Sequence, residues 1–178
     1  ETGTVVIAFR LYSHLHGGHV DAYPRQPELV DGRKRERRWQ AYLRLIAALE
    51  AAGKQVVVLQ QVPEVRRRVQ DLIFAAADPA VPIVSVSRAW WDERRAFMLQ
   101  HQHEVPAGAL QVDPTGLFCD ARNCFASRDG VAYYFDHNHL SATGAQLLAT
   151  LVADCARTRG FLPGAGRPQP GRCDSAGR

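Results

Sequence analysis

The chain alternates short apolar runs with segments of helical periodicity, and this alternation restricts its fold more than any other feature. Three runs are largely apolar and have the length of a strand: residues 4–9, 55–59 and 83–86. Strands that are buried on both faces have this character and occur mainly in parallel sheets. Helices are predicted over residues 33–52, 64–77 and 88–104. The succession of strand and helix predicts right-handed crossovers and a parallel sheet.

Further elements extend this pattern along the second half of the chain. A short strand at Leu110–Asp113, a strand at Tyr133–Phe135 and a final helix from about residue 141 to 158 are predicted. The whole predicts a flavodoxin-like, three-layer α/β/α sandwich with a parallel sheet. Such a sheet has about five strands, so the first strands are expected to be missing and to leave two exposed edges. Residues 161–178 are rich in Gly, Pro and Arg and are expected to form an irregular tail.

Composition limits the class of protein. A length of 178 residues with 46% hydrophobic content suits one domain with a packed core. No apolar run approaches the roughly 20 residues that a membrane-spanning helix needs. Much of the net charge of +4 comes from two arginine clusters, Arg33–Arg38 and Arg66–Arg68. No aromatic residues alternate with these charges, so a solvated surface is favoured over a nucleic-acid site, with attraction to an anionic lipid or glycan as the alternative.

Four cysteines need an explanation. Cys119 and Cys124 lie five residues apart, where a small disulfide ring is sterically possible. Cys155 falls on the final helix and Cys173 in the tail, so a second bridge could hold the tail against the fold. Two bridges would imply an oxidising compartment. A zinc site is the alternative, although the spacings are not those of common zinc modules.

Asp136 and His139 lie three residues apart, where an apolar segment gives way to the final helix. A carboxylate that accepts a hydrogen bond from one imidazole nitrogen fixes the tautomer. The other nitrogen can then take a proton from a serine hydroxyl and return it. Ser141 can cap the following helix, and Gly144 allows that helix to pack closely. The spacing predicts a catalytic dyad; the alternative is an Asp that caps the helix beside a packed histidine.

The segment Asp-His-Asn-His-Leu-Ser-Ala-Thr-Gly-Ala, residues 136–145, resembles the last conserved block of the SGNH hydrolase superfamily, also called GDSL esterases. Three segments before it, the Cys119–Cys124 loop, residues 52–64 and residues 4–12, are similar to SGNH domains fused to the acyltransferase-3 membrane domains of bacterial surface-glycan O-acetyltransferases. The resemblance covers residues 4–160 and corresponds to blocks three to five. It implies the SGNH hydrolase fold, with Asp136 and His139 as catalytic residues.

The resemblance leaves the nucleophile without a candidate. The superfamily places a Gly-Asp-Ser at the end of its first strand, and this sequence has none; its one Asp-Ser pair, Asp174-Ser175, follows no apolar strand. A nucleophilic serine needs a rigid strand-to-helix turn. Residues 1–3, Glu-Thr-Gly, could be an expression remnant, so the sequence could be a piece of a longer protein. The serine is therefore expected in a missing N-terminal segment.

Other side chains near the first strand offer weaker candidates. There is no asparagine where the superfamily places its block-three oxyanion residue, but Arg10 lies where the acyltransferase-linked group often has an arginine. The resemblance implies that Arg10 acts beside the oxyanion or the glycan, and a structural salt bridge is the alternative. Ser13 with His14 is a poor nucleophile pair, because neighbours on an extended chain point to opposite faces. The loop histidines could also bind a metal with a carboxylate; this group is His14, His16, His19 and Asp21.

The resemblance implies an O-acyltransferase that passes an acyl group, expected to be acetyl, to a hydroxyl of a bacterial cell-surface polysaccharide through a serine acyl-enzyme. No resident cofactor is expected, and acetyl-CoA would be handled by a separate membrane domain in the same or a partner polypeptide. The implied location is periplasmic or extracytoplasmic, tethered to the inner membrane. The alternatives are a catalytically incomplete glycan-binding or scaffolding domain and a carbohydrate esterase.

Overall fold

The computed structural model describes residues 3–16, 23–26, 31–78, 80–167 and 173–175. The strands are β1 (Thr4–Ala8), β2 (Gln55–Leu59), β3 (Ile83–Ser87), β4 (Leu110–Val112), β5 (Asn123–Arg128), β6 (Val131–Ala132) and β7 (Cys173–Ser175). The helices are α1 (Leu11–His16), α2 (Gly32–Ala51), α3 (Val69–Phe74), α4 (Arg88–Arg94), α5 (Ala96–His101), α6 (Thr115–Phe118) and α7 (Ala142–Thr158). A 3₁₀ turn, Gln102–Glu104, follows α5.

The central sheet has the strand order β1-β2-β4-β7. Its first three strands are parallel, with Val6 paired to Val57 and Leu59 to Val112. Helix α2 packs on one face of this sheet, where Trp39 and Ile46 join a buried cluster with strand residues. Helix α7 packs on the other face. The structure therefore confirms the predicted α/β fold, in which a parallel sheet lies between helical layers.

The third predicted strand does not join the parallel sheet. Strand β3 instead pairs antiparallel with β5, and β5 pairs with β6, in a separate three-stranded sheet. The expected strand at Tyr133–Phe135 was also wrong. Tyr133 accepts a hydrogen bond from the N–H of Ser141, and Phe135 donates one to His139. This segment therefore bonds to the loop that follows it. Residues 123–128 form the strand that pairs with β3 instead.

Several helix predictions needed correction. The helix predicted over residues 64–77 is confined to α3, because backbone N–H groups before it bond to other segments. The N–H of Val65 donates to the carbonyl of His137, and that of Arg66 to the Ser85 hydroxyl. The helix predicted over residues 88–104 is divided into α4 and α5 at Arg95. Helix α1 was not predicted at all. Its Tyr12 and the rest of its inner face are buried.

The tail is less irregular than expected. Disulfides join Cys119 to Cys124 and Cys155 to Cys173, the two pairs suggested by the sequence. The second bridge ties β7 to α7, and β7 pairs antiparallel with β4. Strand β7 therefore extends the sheet beyond β4, and the central sheet still has two edge strands, as the sequence predicted. Within the described ranges, these edge strands are β1 and β7.

The start of α7 fixes the segment before it. The Ser141 side chain accepts a hydrogen bond from the N–H of Gly144, at 3.1 Å, and its hydroxyl donates to the carbonyl of Ala132. A Cβ at Gly144 would overlap the carbonyl oxygen of Tyr133, so only glycine permits this approach. Both residues therefore place the helix directly against the loop of residues 133–140. Among the helices in the described part of the chain, none is long and apolar enough to cross a membrane.

Candidate active site

Asp136 and His139 form a hydrogen-bonded pair in the loop before α7. The ring Nδ1 of His139 lies 2.7 Å from Asp136 Oδ2. The other carboxylate oxygen, Oδ1, accepts the backbone N–H groups of Asn138 and His139, each at 2.8 Å. With Nδ1–H donating to the carboxylate, Nε2 is the basic nitrogen and is free to exchange a proton. The pair thus has the geometry of the acid/base half of a catalytic triad.

The carboxylate is held in its charged form. Loss of solvation raises the pKa of Asp136, but the hydrogen bonds from the Asn138 N–H, the His139 ring and the His139 N–H outweigh it and leave the pKa well below its usual range. The side chain of His139 is 74% exposed, against 23% for Asp136. A fixed anion behind an accessible imidazole can stabilise the imidazolium that forms when His139 accepts a proton.

A cavity of about 250 Å³ adjoins His139. The carboxyl ends of β1 and β2 form its floor, and Asn138, Leu140 and Leu148 contribute from the α7 side. Ligands of open α/β sheets bind at this edge, outside the carboxyl ends of the strands. Most of the lining is apolar, as in other small-molecule sites, with a few polar groups that can fix orientation.

Arg10 lies in the wall of this cavity, as the sequence suggested for a residue acting near the substrate. Its guanidinium NH2 is 3.9 Å from Oε1 of Glu64, which is itself buried. Glu64 Oε2 also binds Nε of Arg94 at 2.9 Å, and the two side chains are 3% and 1% exposed. The structural salt bridge is therefore present, and Arg10 also remains half-exposed at the cavity, where its role beside the oxyanion or the glycan stays a prediction.

The sequence places residues 60–63, with Gln61, at the ligand-binding edge but assigns no role to Glu64, and both Gln61 and Glu64 line the cavity. The side-chain amide of Gln61 donates to Glu64 at 3.1 Å, and its oxygen accepts the N–H of Tyr12 at 3.2 Å. These bonds link the loop after β2 to the start of α1, beside Arg10. A signal existed: Glu64 lies in the segment after the buried parallel strand β2, and such segments lie at the ligand-binding edge of the sheet.

The remaining sequence candidates do not assemble at the cavity. Ser13 and His14 lie on α1, so the extended conformation assumed for them was wrong; successive residues on a helix do not face each other either. The backbone of Ser175 pairs with Leu110, at the opposite end of β4 from the cavity. Within the described ranges no three His, Cys, Asp or Glu side chains are placed to hold a metal ion. His19 and Asp21 lie outside those ranges.

Comparison with known proteins agrees with this geometry. The family model described as "SGNH domain (fused to AT3 domains)" matches residues 1–154. Searches of curated proteins and of solved structures return no match. The two disulfides also fit an oxidising, extracytoplasmic compartment. The match covers most of the chain, including the Asp136–His139 loop, and the chain therefore belongs to the family of SGNH domains fused to AT3 domains, which implies hydrolase- or acyltransferase-type chemistry.

Proposed function

We propose that this domain is an O-acetyltransferase that transfers an acetyl group to a hydroxyl of a bacterial cell-surface polysaccharide. The observation that carries the proposal is the 2.7 Å bond between His139 Nδ1 and Asp136 at the mouth of the cavity. The family's fusion to AT3 domains supports an acyltransferase-3 membrane domain as the source of the acetyl group. The domain would then act on the periplasmic side, tethered to the inner membrane.

The reaction has two halves. A serine from a segment outside the given sequence attacks the acetyl donor, and His139 Nε2 takes its proton. His139 then returns that proton to the leaving group. In the second half His139 deprotonates the sugar hydroxyl, which attacks the acyl-serine. The ester bond to the serine oxygen breaks, and His139 returns the proton to that oxygen. Asp136 keeps the imidazole oriented throughout, and no metal or resident cofactor takes part in this scheme.

Arg10 is proposed to act on charge that develops in the cavity. Its guanidinium forms an ion pair with the buried Glu64, and its side chain is half-exposed in the wall of the cavity. A fixed cation near a developing oxyanion stabilises it more strongly in a site that excludes water. The same group could bind a polar substituent of the glycan, so Arg10 is proposed as an oxyanion or substrate residue rather than a proton carrier.

A second candidate is a carbohydrate esterase, which shares the acyl-serine but uses water as the second nucleophile. We expect the full-length protein, given a chromogenic acetyl ester and a surface polysaccharide, to deposit acetyl groups on the glycan. Mass spectrometry of the glycan and titration of free acetate separate the two products. Free acetate alone, at a rate unaffected by glycan, would replace the transferase proposal by the esterase. If neither product forms, the result would favour a glycan-binding or scaffolding domain.

A further inference from the structure

Two arginines line a cavity that is separate from the one beside His139. This basic cavity has a volume of about 470 Å³ and is lined by Arg66 and Arg67 and by residues of α3 and β3, among them Leu72 and Ile83. Both arginines are exposed. Within the described ranges neither guanidinium forms an ion pair, although that of Arg66 lies 5.9 Å from the ring of Tyr23. Their charge is therefore available to a ligand.

The charge of the lining indicates which anion fits. Asp78 also lines the basic cavity, and its Oδ1 accepts the N–H of Ala80 at 2.9 Å. Two guanidinium groups and one carboxylate leave the lining with one net positive charge. A single carboxylate complements that charge, whereas a phosphate monoester carries roughly two negative charges. Arginine also matches the planar geometry of a carboxylate through paired N–H donors.

One short segment connects the basic cavity to the catalytic cavity, the cavity of about 250 Å³ beside His139. Pro63 and Glu64 line the catalytic cavity, and Arg66 and Arg67 line the basic one. Three residues span at most about 11 Å of backbone even when fully extended. A ligand made of several linked sugar units is therefore long enough to occupy both cavities at once.

Hydrogen bonds fix this segment relative to the catalytic loop. The N–H of Val65 donates to the carbonyl of His137, at 3.3 Å, within the loop that carries Asp136 and His139. The N–H of Arg66 donates to the hydroxyl of Ser85 on β3, at 3.2 Å. The two arginines are thus attached to the same framework as the catalytic histidine, so a group bound in the basic cavity would be held at a set distance from it.

Exposed aromatic rings lie beside the catalytic loop on the α3 side. Phe135 is 67% exposed, its N–H donates to the carbonyl of His139, and its carbonyl accepts Nε2 of Gln70. Phe74 lies one turn after Gln70 on α3 and is 87% exposed. Such rings offer broad apolar surface, on which the C–H face of a sugar ring can pack. A bilayer would contact protruding basic side chains, whereas these arginines line a concavity, so an acidic glycan chain is the better fit.

We propose that Arg66 and Arg67 bind the carboxylate of an acidic sugar unit of the acceptor polysaccharide, while another unit of the same chain presents its hydroxyl to His139. This inference rests on the proposed function for the identity of the acceptor, but glycan binding can be measured without acyl transfer. The basic cavity acts as a subsite that selects acidic glycans. It takes no part in proton transfer.

Isothermal titration of the 178-residue chain with oligogalacturonate tests the subsite. We expect oligogalacturonate to bind and a dextran oligosaccharide of equal length to bind at least about tenfold more weakly. The double variant Arg66→Ala/Arg67→Ala should raise the Kd for oligogalacturonate at least about tenfold. Its control is Arg33→Ala/Arg37→Ala, which removes the same charge from exposed positions of α2 and should change the Kd less than about twofold.

Three results of this titration would overturn the proposal. The first is no binding of oligogalacturonate. The second is an equal loss in the two double variants, which would mean that only the overall charge of the chain matters. The third is binding to vesicles that contain phosphatidylglycerol, lost in Arg66→Ala/Arg67→Ala, with no binding of oligogalacturonate. That result would assign the arginines to a bilayer surface.

Kinetics of the full-length protein separate the subsite from the chemistry. With an acidic polysaccharide as acceptor, Arg66→Ala/Arg67→Ala should raise KM at least about tenfold and leave kcat nearly unchanged, because the subsite lies away from the reacting atoms. An unchanged KM would overturn the subsite and leave the proposed function intact. Binding of oligogalacturonate that depends on Arg66 and Arg67, without acetyl transfer to any glycan, would retain the subsite and reject the transferase function.

Discussion

Replacement of His139 by alanine is expected to reduce acyl transfer by the full-length protein by about 10³-fold or more. The imidazole is the only group in the described site that is placed to carry the proton in both halves of the reaction, with Nδ1 bonded to Asp136 at 2.7 Å. Its removal leaves binding and oxyanion stabilisation intact but leaves the serine hydroxyl without a base. The measurement is the rate of acetyl transfer to glycan, with circular dichroism to establish that the variant folds.

The neighbouring histidine provides the control. The contact of His137 with the loop after β2 uses its backbone carbonyl, which accepts the N–H of Val65, so His137→Ala keeps that bond and should preserve most of the activity. Asp136→Asn should cost about 10³-fold, because an amide no longer fixes the Nδ1–H tautomer. Equal activity of the two histidine variants, or an active His139→Ala protein, would contradict the assignment of the dyad.

Removal of the Glu64 carboxylate is expected to have the largest effect on stability. Glu64→Ala should lower the free energy of unfolding by about 3–5 kcal/mol, the cost of breaking a buried ion pair by deleting one partner. Glu64 and Arg94 are 3% and 1% exposed and lie 2.9 Å apart, so the arginine charge would be left in a water-poor setting. Arg10 would also lose its ion-pair partner. Urea unfolding of the 178-residue chain measures the difference.

An exposed ion pair in the same region is the comparison. Arg68 and Asp71 lie 3.5 Å apart with both side chains largely accessible to solvent. Asp71→Ala should therefore change stability by at most about 1 kcal/mol. A loss for Glu64→Ala no larger than that for Asp71→Ala would show that the buried pair is not a main determinant of stability. It would also weaken the argument that Glu64 positions Arg10.

Features that depend on residues close together in the sequence could be predicted. Features that depend on contacts between distant segments could not. The Asp136–His139 pair and the Ser141 cap follow from residues three apart, so both could be recognised without knowing the fold. Glu64 could not be assigned, because its importance comes from Arg94, thirty positions along the chain, and from Arg10, between β1 and α1.

The strand errors have a similar cause. An apolar run such as β3 indicates a buried strand but does not indicate which strand it pairs with. Strand β3 pairs with β5, in a sheet separate from the parallel one. Strand β7 lies in a segment that composition alone marks as irregular. Its position depends on the Cys155–Cys173 bridge and on pairing with β4, neither of which produces a periodic pattern.

The most direct test of this account is intact mass spectrometry after treatment with a serine-reactive fluorophosphonate. The 178-residue chain should remain unlabelled, because the serine is expected outside it. A longer polypeptide that includes the preceding segment should gain a single adduct on a serine of that segment, and His139→Ala should slow its formation at least about 100-fold. An adduct on the 178-residue chain, or none on either form, would contradict the proposal that this domain contributes the acid/base half of a serine acyltransferase.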